Sequence, residues 1–206
     1  MPPVVDAYGQ LDAFLRGWCN FPDAELVRVR RVFRPLQVPR GALLTRAGER
    51  PDRVAFIVKG LVRLVYAAAG GTERAHGFRA ENQLVCAYSA VLRGERAQMS
   101  IEAIEPCAML VASREAFDEL LAGHPCWRDL IARLTEQLYL QQEARQRELL
   151  LEDAASRYLS FVTGHPGLAR RLTQAQIASY VGVTPVALSR IRARLISVND
   201  KAAARS

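Results

Sequence analysis

The sequence predicts an α+β fold in which an antiparallel β-structure is followed by a set of helices. Short apolar runs separated by glycines occupy residues 36–111, and helical periodicity returns after residue 113. Between residues 172 and 195, two capped helices joined by a glycine turn form the pattern of a helix-turn-helix. The 206 residues suit one large domain or two small ones, and we expect domains at 1–124, 125–151 and 152–206.

The composition is that of an ordinary globular protein, with 50% hydrophobic and 24% charged residues. These values exclude a disordered chain, a collagen-like repeat and a small disulfide-rich scaffold. The four cysteines are widely scattered and form no C-x-x-C pair, so we expect free thiols in a reducing cytoplasm. The chain start lacks the basic and apolar regions of a secretory signal, and no apolar stretch approaches a membrane-spanning length.

The first elements are predicted from changes in periodicity. Residues 6–34 have helical spacing that is interrupted at residues 20–23, which indicates two helices. Apolar runs of β type follow at residues 36–38, 43–44, 54–58, 61–66, 74–78, 99–104 and 108–111. Short strands in this number predict a barrel or sandwich of about eight strands.

Three helices are predicted after the strands. Ser113 begins a short helix that ends at residues 123–125, a long helix covers residues 125–151, and a third covers residues 153–162. The long helix carries a narrow apolar stripe of Leu130, Leu134 and Leu138. Such a stripe is typical of a seam between two copies of a helix, and also of a helix packed on its own domain.

The helix-turn-helix pattern depends on local capping chemistry. Thr173 and Gln176 have the spacing of a capping box, in which each side chain satisfies a free backbone N–H. Gly182 supplies the turn, Thr184 caps the second helix, and Pro185 occupies its first position, where a missing N–H has no cost.

The second helix has one apolar and one outward face when it is projected at 100° per residue. Leu188, Ile191 and Leu195 share the first, whereas Val186, Ser189, Arg190 and Ala193 project from the second. Residues 154–199 contain six arginines (157, 170, 171, 190, 192 and 194) and no acid, in a chain of net charge +7. A basic segment with this face is typical of a helix that inserts into the major groove of DNA. Arginines on the flanks of such a helix, here Arg192 and Arg194, are placed to bind phosphates. The candidate DNA-binding residues are Thr173, Thr184, Pro185, Val186, Ser189, Arg190, Arg192 and Arg194.

With these residues the chain resembles the Crp–Fnr family of bacterial transcription regulators over nearly its full length. The resemblance rests on Gly41 to Gly48, on residues 56–60 and 62–64, on Ile177-Ala178-x-x-x-Gly182, and on Leu188-Ser189-Arg190-Ile191. It implies an antiparallel β-roll (a double-stranded β-helix) as sensor domain, a dimerisation helix with its seam at Leu130, Leu134 and Leu138, and a DNA-binding domain. It further implies a homodimer that binds double-stranded DNA at an inverted repeat, acts with RNA polymerase, and is not an enzyme.

Two departures from the family pattern bear on function. Cys86-Ala87 stands where members that bind cyclic nucleotides carry Gly-Glu, so the resemblance is to the subgroup with a degenerate phosphate cassette. We therefore expect an unidentified small-molecule effector rather than a cyclic nucleotide, and no cofactor. The ligand-pocket candidates are Cys86, Ala87, Tyr88, Arg96 and Gln98. Pro185-Val186 replaces the Arg-Glu of members that bind the best-known operator, so the preferred DNA sequence should differ.

Other family features are expected to be missing. The chain ends eleven residues after Leu195, which predicts that the usual winged hairpin is truncated or absent. The clustered cysteines of iron–sulfur members are not found. His76 could ligate haem, although a half-exposed histidine in a sheet explains it more simply.

Two other functions are compatible with parts of the sequence. One is a regulator that responds to a cyclic nucleotide through a divergent cassette. The other is a cupin-type enzyme, which needs two or three histidines on facing strands to bind a metal. The three histidines, His76, His124 and His165, form no H-x-H motif, which argues against the enzyme.

Overall fold

The structure is a computed structural model that describes the backbone of residues 4–67 and 73–203 and the side chains of residues 7–67 and 73–197. The chain divides into two compact units. The first contains the described residues up to Leu138 except 73–75, and the second contains 73–75 and the residues from Tyr139 onward. The division falls inside one long helix rather than at either of its ends.

The described residues form eight strands and nine helices. The strands are β1 (Arg34–Val38), β2 (Leu43–Thr45), β3 (Arg53–Lys59), β4 (Val62–Ala67), β5 (Glu73–Arg79), β6 (Gln83–Val85), β7 (Ser100–Ala103) and β8 (Cys107–Ser113). The helices are α1 (Val4–Trp18), α2 (Asp23–Val32), α3 (Tyr88–Arg93), α4 (Arg114–Leu121), α5 (Cys126–Leu151), α6 (Ala154–Gly164), α7 (Pro166–Arg171), α8 (Gln174–Val181) and α9 (Pro185–Ala203).

The strands form two four-stranded sheets with orders β1-β8-β3-β6 and β2-β7-β4-β5. Strand β8 pairs antiparallel with both β1 and β3, and β7 pairs antiparallel with both β2 and β4. Because β7 and β8 are consecutive in the chain but lie in different sheets, the chain crosses between the sheets, as in a β-roll. The predicted β-roll is therefore confirmed.

Apolar side chains fill both sides of the first sheet. Between the two sheets lies a cluster that includes Ile57, Leu64, Val85, Ile101 and Met109. On the other face of the first sheet, helices α1, α2, α4 and the start of α5 bury a second cluster of larger side chains. That cluster includes Leu15, Phe33, Phe56, Phe117, Trp127 and Leu130. Alternation along β3 explains the arrangement, since Phe56 and Ile57 point to opposite faces.

The turn between β3 and β4 requires a glycine. Gly60 has φ +112°, and a Cβ atom there would lie 2.5 Å from Cys107 Sγ and 2.8 Å from Cys107 Cα. A side chain at this position would therefore be strained and would collide with the backbone of β8. The turn keeps β3 and β4, which belong to different sheets, on their respective sides of the roll.

The structure extends the sequence predictions in three places. Strand β6 and helix α3, for which the sequence gives no periodic signal, flank Cys86-Ala87 at the place of the phosphate cassette. Helix α7 begins with Pro166 at its first position and lies in the stretch between the predicted third helix, which ends at residue 162, and the helix-turn-helix pattern. Helix α9 continues to Ala203, so residues 196–203, where a truncated hairpin is one of the expectations, are helical.

Candidate nucleic-acid interface

Helices α8 and α9 form the predicted helix-turn-helix, and the predicted caps are confirmed. The Gln176 N–H donates to Thr173 Oγ1 at 3.2 Å, and the Thr173 N–H donates to Gln176 Oε1 at 2.8 Å. Gly182 ends α8 with φ +87°, a left-handed conformation that glycine adopts without strain. Thr184 Oγ1 then accepts from the Ala187 N–H at 3.2 Å at the start of α9.

The two helices are held together by a small apolar core. Ile177, Ala178 and Val181 of α8 and Leu188 of α9 are buried. The Phe161 ring of α6 packs against the Tyr180 ring with centroids 4.9 Å apart. Because α8 is fixed on one side by α6 and on the other by α9, the orientation of α9 is set by buried contacts.

Two arginines, which the sequence analysis did not single out as positioning residues, fix the end of α8. Arg145 of α5 donates to the Tyr180 carbonyl, and its guanidinium lies 4.1 Å from the centroid of the Tyr180 ring. Arg157 of α6 donates to the Val181 carbonyl at 3.0 Å. Both carbonyls lie at the carboxyl end of α8, where backbone acceptors are free and the helix dipole favours cations.

These contacts change the interpretation of the basic segment. Arg157 contributes to the charge of this segment, but its guanidinium donates to a backbone carbonyl of its own unit. The sequence does contain a signal for the role of Arg145. It lies seven residues after Leu138, in line with the apolar stripe of the long helix, where a buried contact is expected. The exposed arginines are Arg170, Arg190 and Arg194, and Arg192 is half-buried.

The outward face of α9 is exposed at each of its four predicted positions, Val186, Ser189, Arg190 and Ala193. Leu188 is 0% exposed on the opposite side, and Ile191 and Leu195 are half-buried. Thr173, Thr184 and Pro185 are exposed at the amino ends of α8 and α9. The first turn of α9 contains no acidic residue. This surface can accept a polyanion with hydrogen-bond acceptors and apolar groups.

The ligand-pocket candidates do not form a charged cradle. Ala87 is buried, and burial raises the pKa of the Cys86 thiol to about 11. The Tyr88 hydroxyl lies 2.9 Å from Thr135 Oγ1 of α5. Arg96 donates to the Gly48 carbonyl at 2.8 Å, and Gln98 is exposed. Cys86, Ala87 and Tyr88 therefore lie together only because they are consecutive in the sequence. Arg96 is bound to a different loop, which contains Gly48.

The predicted seam on the long helix needs a correction. Leu130 is 0% exposed and belongs to the apolar core of its own unit, and Leu134 packs against that core. Leu130 therefore cannot contact a second copy, whereas Leu138 remains half-buried. The sequence could not separate the two roles because an apolar stripe buries equally well against either partner.

The remaining candidate sites contain no metal centre in the part of the chain that the structure describes. No group of three or more histidine, cysteine, aspartate or glutamate side chains is arranged there to hold a metal ion. His76 lies half-buried in β5 and packs edge-on against Tyr66, with ring centroids 5.4 Å apart. None of the described helices is long and apolar enough to cross a membrane.

A β-roll, a long helix and a helix-turn-helix define the fold of Crp/Fnr-type regulators, and comparisons with known proteins agree. Residues 35–124 match the family model of the cyclic nucleotide-binding domain. No curated protein matches the sequence. Among solved structures, CLP of Xanthomonas campestris, a c-di-GMP responsive global regulator, is similar with a TM-score of 0.68 and 13% identity, over 86% of this chain and 93% of that one.

Two further structures support the same fold. FixK2 of Bradyrhizobium japonicum has a TM-score of 0.67 and 18% identity, over 82% of this chain and 86% of its own. The catabolite activator protein of Thermus thermophilus has a TM-score of 0.56 and 19% identity, over 87% and 86%. The chain thus contains a domain of the cyclic nucleotide-binding type within the Crp/Fnr fold. One fold can carry several functions, so the function of this chain depends on the residues of its sites.

Proposed function

We propose that the protein is a sequence-specific DNA-binding transcription regulator that acts as a homodimer. The observation that carries the proposal is the outward face of α9, which is exposed, free of acid and fixed by buried contacts on its other side. A rigid helix with small side chains and one outward arginine fits the major groove. The partners in this proposal are double-stranded DNA, a second copy of the chain, RNA polymerase and a small-molecule effector.

The exposed residues take different roles in the proposal. Arg190 projects from the outward face and donates to the O6 and N7 atoms of a guanine, which is the commonest specific contact of arginine. Arg192 and Arg194 lie on the flanks and bind phosphates. Thr173, Thr184 and Pro185 mark the amino ends of α8 and α9, where free backbone N–H groups and the helix dipole favour a phosphate.

The homodimer uses the exposed side of α5. Uncharged, exposed residues recur there every three or four positions, the spacing of a two-stranded seam. In the second unit they are Tyr139, Gln142, Gln146 and Leu150, which we call the α5 stripe. Tyr139 is 68% exposed in the single chain, so a second copy would cover a large aromatic side chain.

The effector of this regulator is not a cyclic nucleotide. A cyclic phosphate needs backbone donors and an arginine that converge on it. Here Cys86 is a half-buried thiol whose raised pKa keeps it neutral, and Arg96 is bound to the Gly48 carbonyl. A second candidate, regulation by a cyclic nucleotide through a divergent site, is favoured by the family match of residues 35–124.

In vitro selection of DNA from a random pool tests the proposed function. A twofold dimer with one recognition helix, α9, in each subunit should enrich an inverted repeat with half-site centres about 34 Å apart, one helical turn. The selected duplex should bind at least about a thousandfold more tightly than random duplex. A pool without enrichment after repeated rounds would reject the proposal, and a single unpaired half-site would reject the homodimer.

A further inference from the structure

The first turn of α9 carries an exposed apolar side chain that the fold does not use. Val186 is 62% exposed at the second position of the helix. A β-branched residue is unfavourable there, because polar and acidic residues stabilise the first turn of a helix and valine has a low helix propensity. The apolar face of the helix is buried elsewhere, through Leu188, which is 0% exposed. The isopropyl group of Val186 therefore faces solvent on the surface assigned to DNA.

Val186 shares its direction with the base-contacting arginine of the proposed function. Val186 and Arg190 are four residues apart, so they lie within about 40° of each other around the helix and about 6 Å apart along it. Base pairs in DNA are separated by about 3.4 Å. When Arg190 is at the edge of one base pair, Val186 faces a base one or two pairs away.

The chemistry of the groove selects the partner of an isopropyl group. The major-groove edges of the bases present donors and acceptors, except for the 5-methyl group of thymine, which is apolar. A protein partner fits this surface less well, since Val186 is surrounded by exposed Ser189 and Arg190 rather than by an apolar patch. Resting on the proposed function, we propose that Val186 is a specificity-determining residue that contacts the methyl group of a thymine one or two base pairs from the guanine bound by Arg190.

Replacement of thymine by uracil tests the assignment, because it removes only the methyl group. The probes are the selected operator and duplexes in which each thymine of the half-site is changed in turn to deoxyuridine. Affinity is measured by fluorescence anisotropy with the full-length protein, the Val186→Ala variant and the Ile196→Ala variant. Ile196 is a matched control because it is apolar, 59% exposed and on the same helix, but ten residues further along.

The expected result is a coupling between one methyl group and one side chain. Uracil at the assigned position should weaken wild-type binding about fourfold for one half-site and about 15-fold for both, the effect of one methyl-sized group removed from an apolar contact. Val186→Ala should bind the thymine duplex with the same loss and show no further loss with uracil. Ile196→Ala should keep the full sensitivity to uracil.

Three results would overturn the assignment. One is a uracil penalty in Val186→Ala as large as in wild type, which would place Val186 on a surface for another partner. Another concerns the guanine at which Arg190→Ala relaxes the base preference. The assignment fails if no thymine within two base pairs of that guanine is sensitive to the loss of its methyl group. If Val186→Ala retains specific binding in either case, the proposed function stands while the assignment fails. Selection that enriches no sequence at all rejects the proposed function and the assignment together.

Discussion

The carboxylate of Glu25 allows the packing of the first unit to be tested by one substitution. Glu25 is 7% exposed and accepts from the indole N–H of Trp127 at 2.8 Å. It also accepts from Arg28 Nη1 at 2.9 Å and 3.1 Å. Glu25→Gln keeps the size of the side chain but removes its negative charge. It also replaces one carboxylate oxygen by an amide NH2 group, a donor that faces the N–H donors of Trp127 and Arg28. The contacts join α2 to the first turn of α5.

The loss can be estimated from exposure and hydrogen bonding. The side chain of Arg28 is 43% exposed, so solvent screens the ion pair, which contributes about 1 kcal/mol. A hydrogen bond to a buried charged acceptor is worth about 1 kcal/mol more than one to a neutral acceptor. Together these effects predict that Glu25→Gln lowers the free energy of unfolding of the first unit by about 2 kcal/mol.

The effect should depend on pH with a definite sign. Burial disfavours the ionised carboxylate, but hydrogen bonds from Trp127 and Arg28 hold the pKa of Glu25 below its ordinary value. A folded pKa below the unfolded one gives stabilisation that is present above the unfolded pKa and is lost as pH falls through the folded pKa. The difference between wild type and Glu25→Gln should therefore be constant from about pH 6 to pH 8 and shrink below about pH 4.

Urea unfolding followed by tryptophan fluorescence measures this difference. Both tryptophans of the chain, Trp18 and Trp127, lie in the first unit, so the signal reports on that unit. Glu119→Gln, at an exposed position of α4, is the matched control and should change stability by less than about 0.5 kcal/mol. Equal midpoints for Glu25→Gln and Glu119→Gln, or a difference that persists unchanged at acidic pH, would refute the reasoning.

Three further predictions follow from the structure. Millimolar cyclic AMP, cyclic GMP or cyclic di-GMP should leave the thermal melt unchanged, whereas binding at 100 times Kd would stabilise the fold by about 2.7 kcal/mol and raise the melting temperature. Tyr139→Arg places like charges at the α5 stripe and should give a folded monomer in light scattering, and a persistent dimer would locate the seam elsewhere. Gly60→Ala should lower the free energy of unfolding by about 3 kcal/mol or more, because its Cβ would meet Cys107. In the same urea assay, Gly41→Ala has a similar φ of +84° but open space, and an equal loss in both variants would contradict the collision.

Features that depend on neighbours in sequence were predictable. The capping box of Thr173 and Gln176, the turn at Gly182 and the cap at Thr184 need only a few adjacent residues, so the pattern determines them. The same holds for Ser113, whose side chain accepts from the Ala116 N–H at the start of α4. Strands bounded by glycines were predictable for the same reason.

Features that depend on tertiary contacts were not. The predicted seam on the long helix contains Leu130 and Leu138, yet only the structure shows that Leu130 is covered by the core of its own unit. Arg157 adds to the basic charge of the sequence, but its guanidinium donates to the Val181 carbonyl, so we do not include it in the proposed DNA-binding surface. Helix α3 was missed because its six residues are too short for periodicity, although Gly94, with φ +64°, marks its end.

The central claim is that α9 discriminates between DNA sequences, and a comparison of Arg190→Ala with Arg194→Ala tests it most directly. Each variant is titrated against the selected operator and a random duplex over a range of salt concentrations. Arg190→Ala should weaken operator binding by about 1–3 kcal/mol for each half-site, affect random duplex much less, and relax preference at one base pair. Arg194→Ala should weaken both duplexes similarly and reduce the salt slope by about two in the dimer. Equal losses on both duplexes from both variants would contradict the claim.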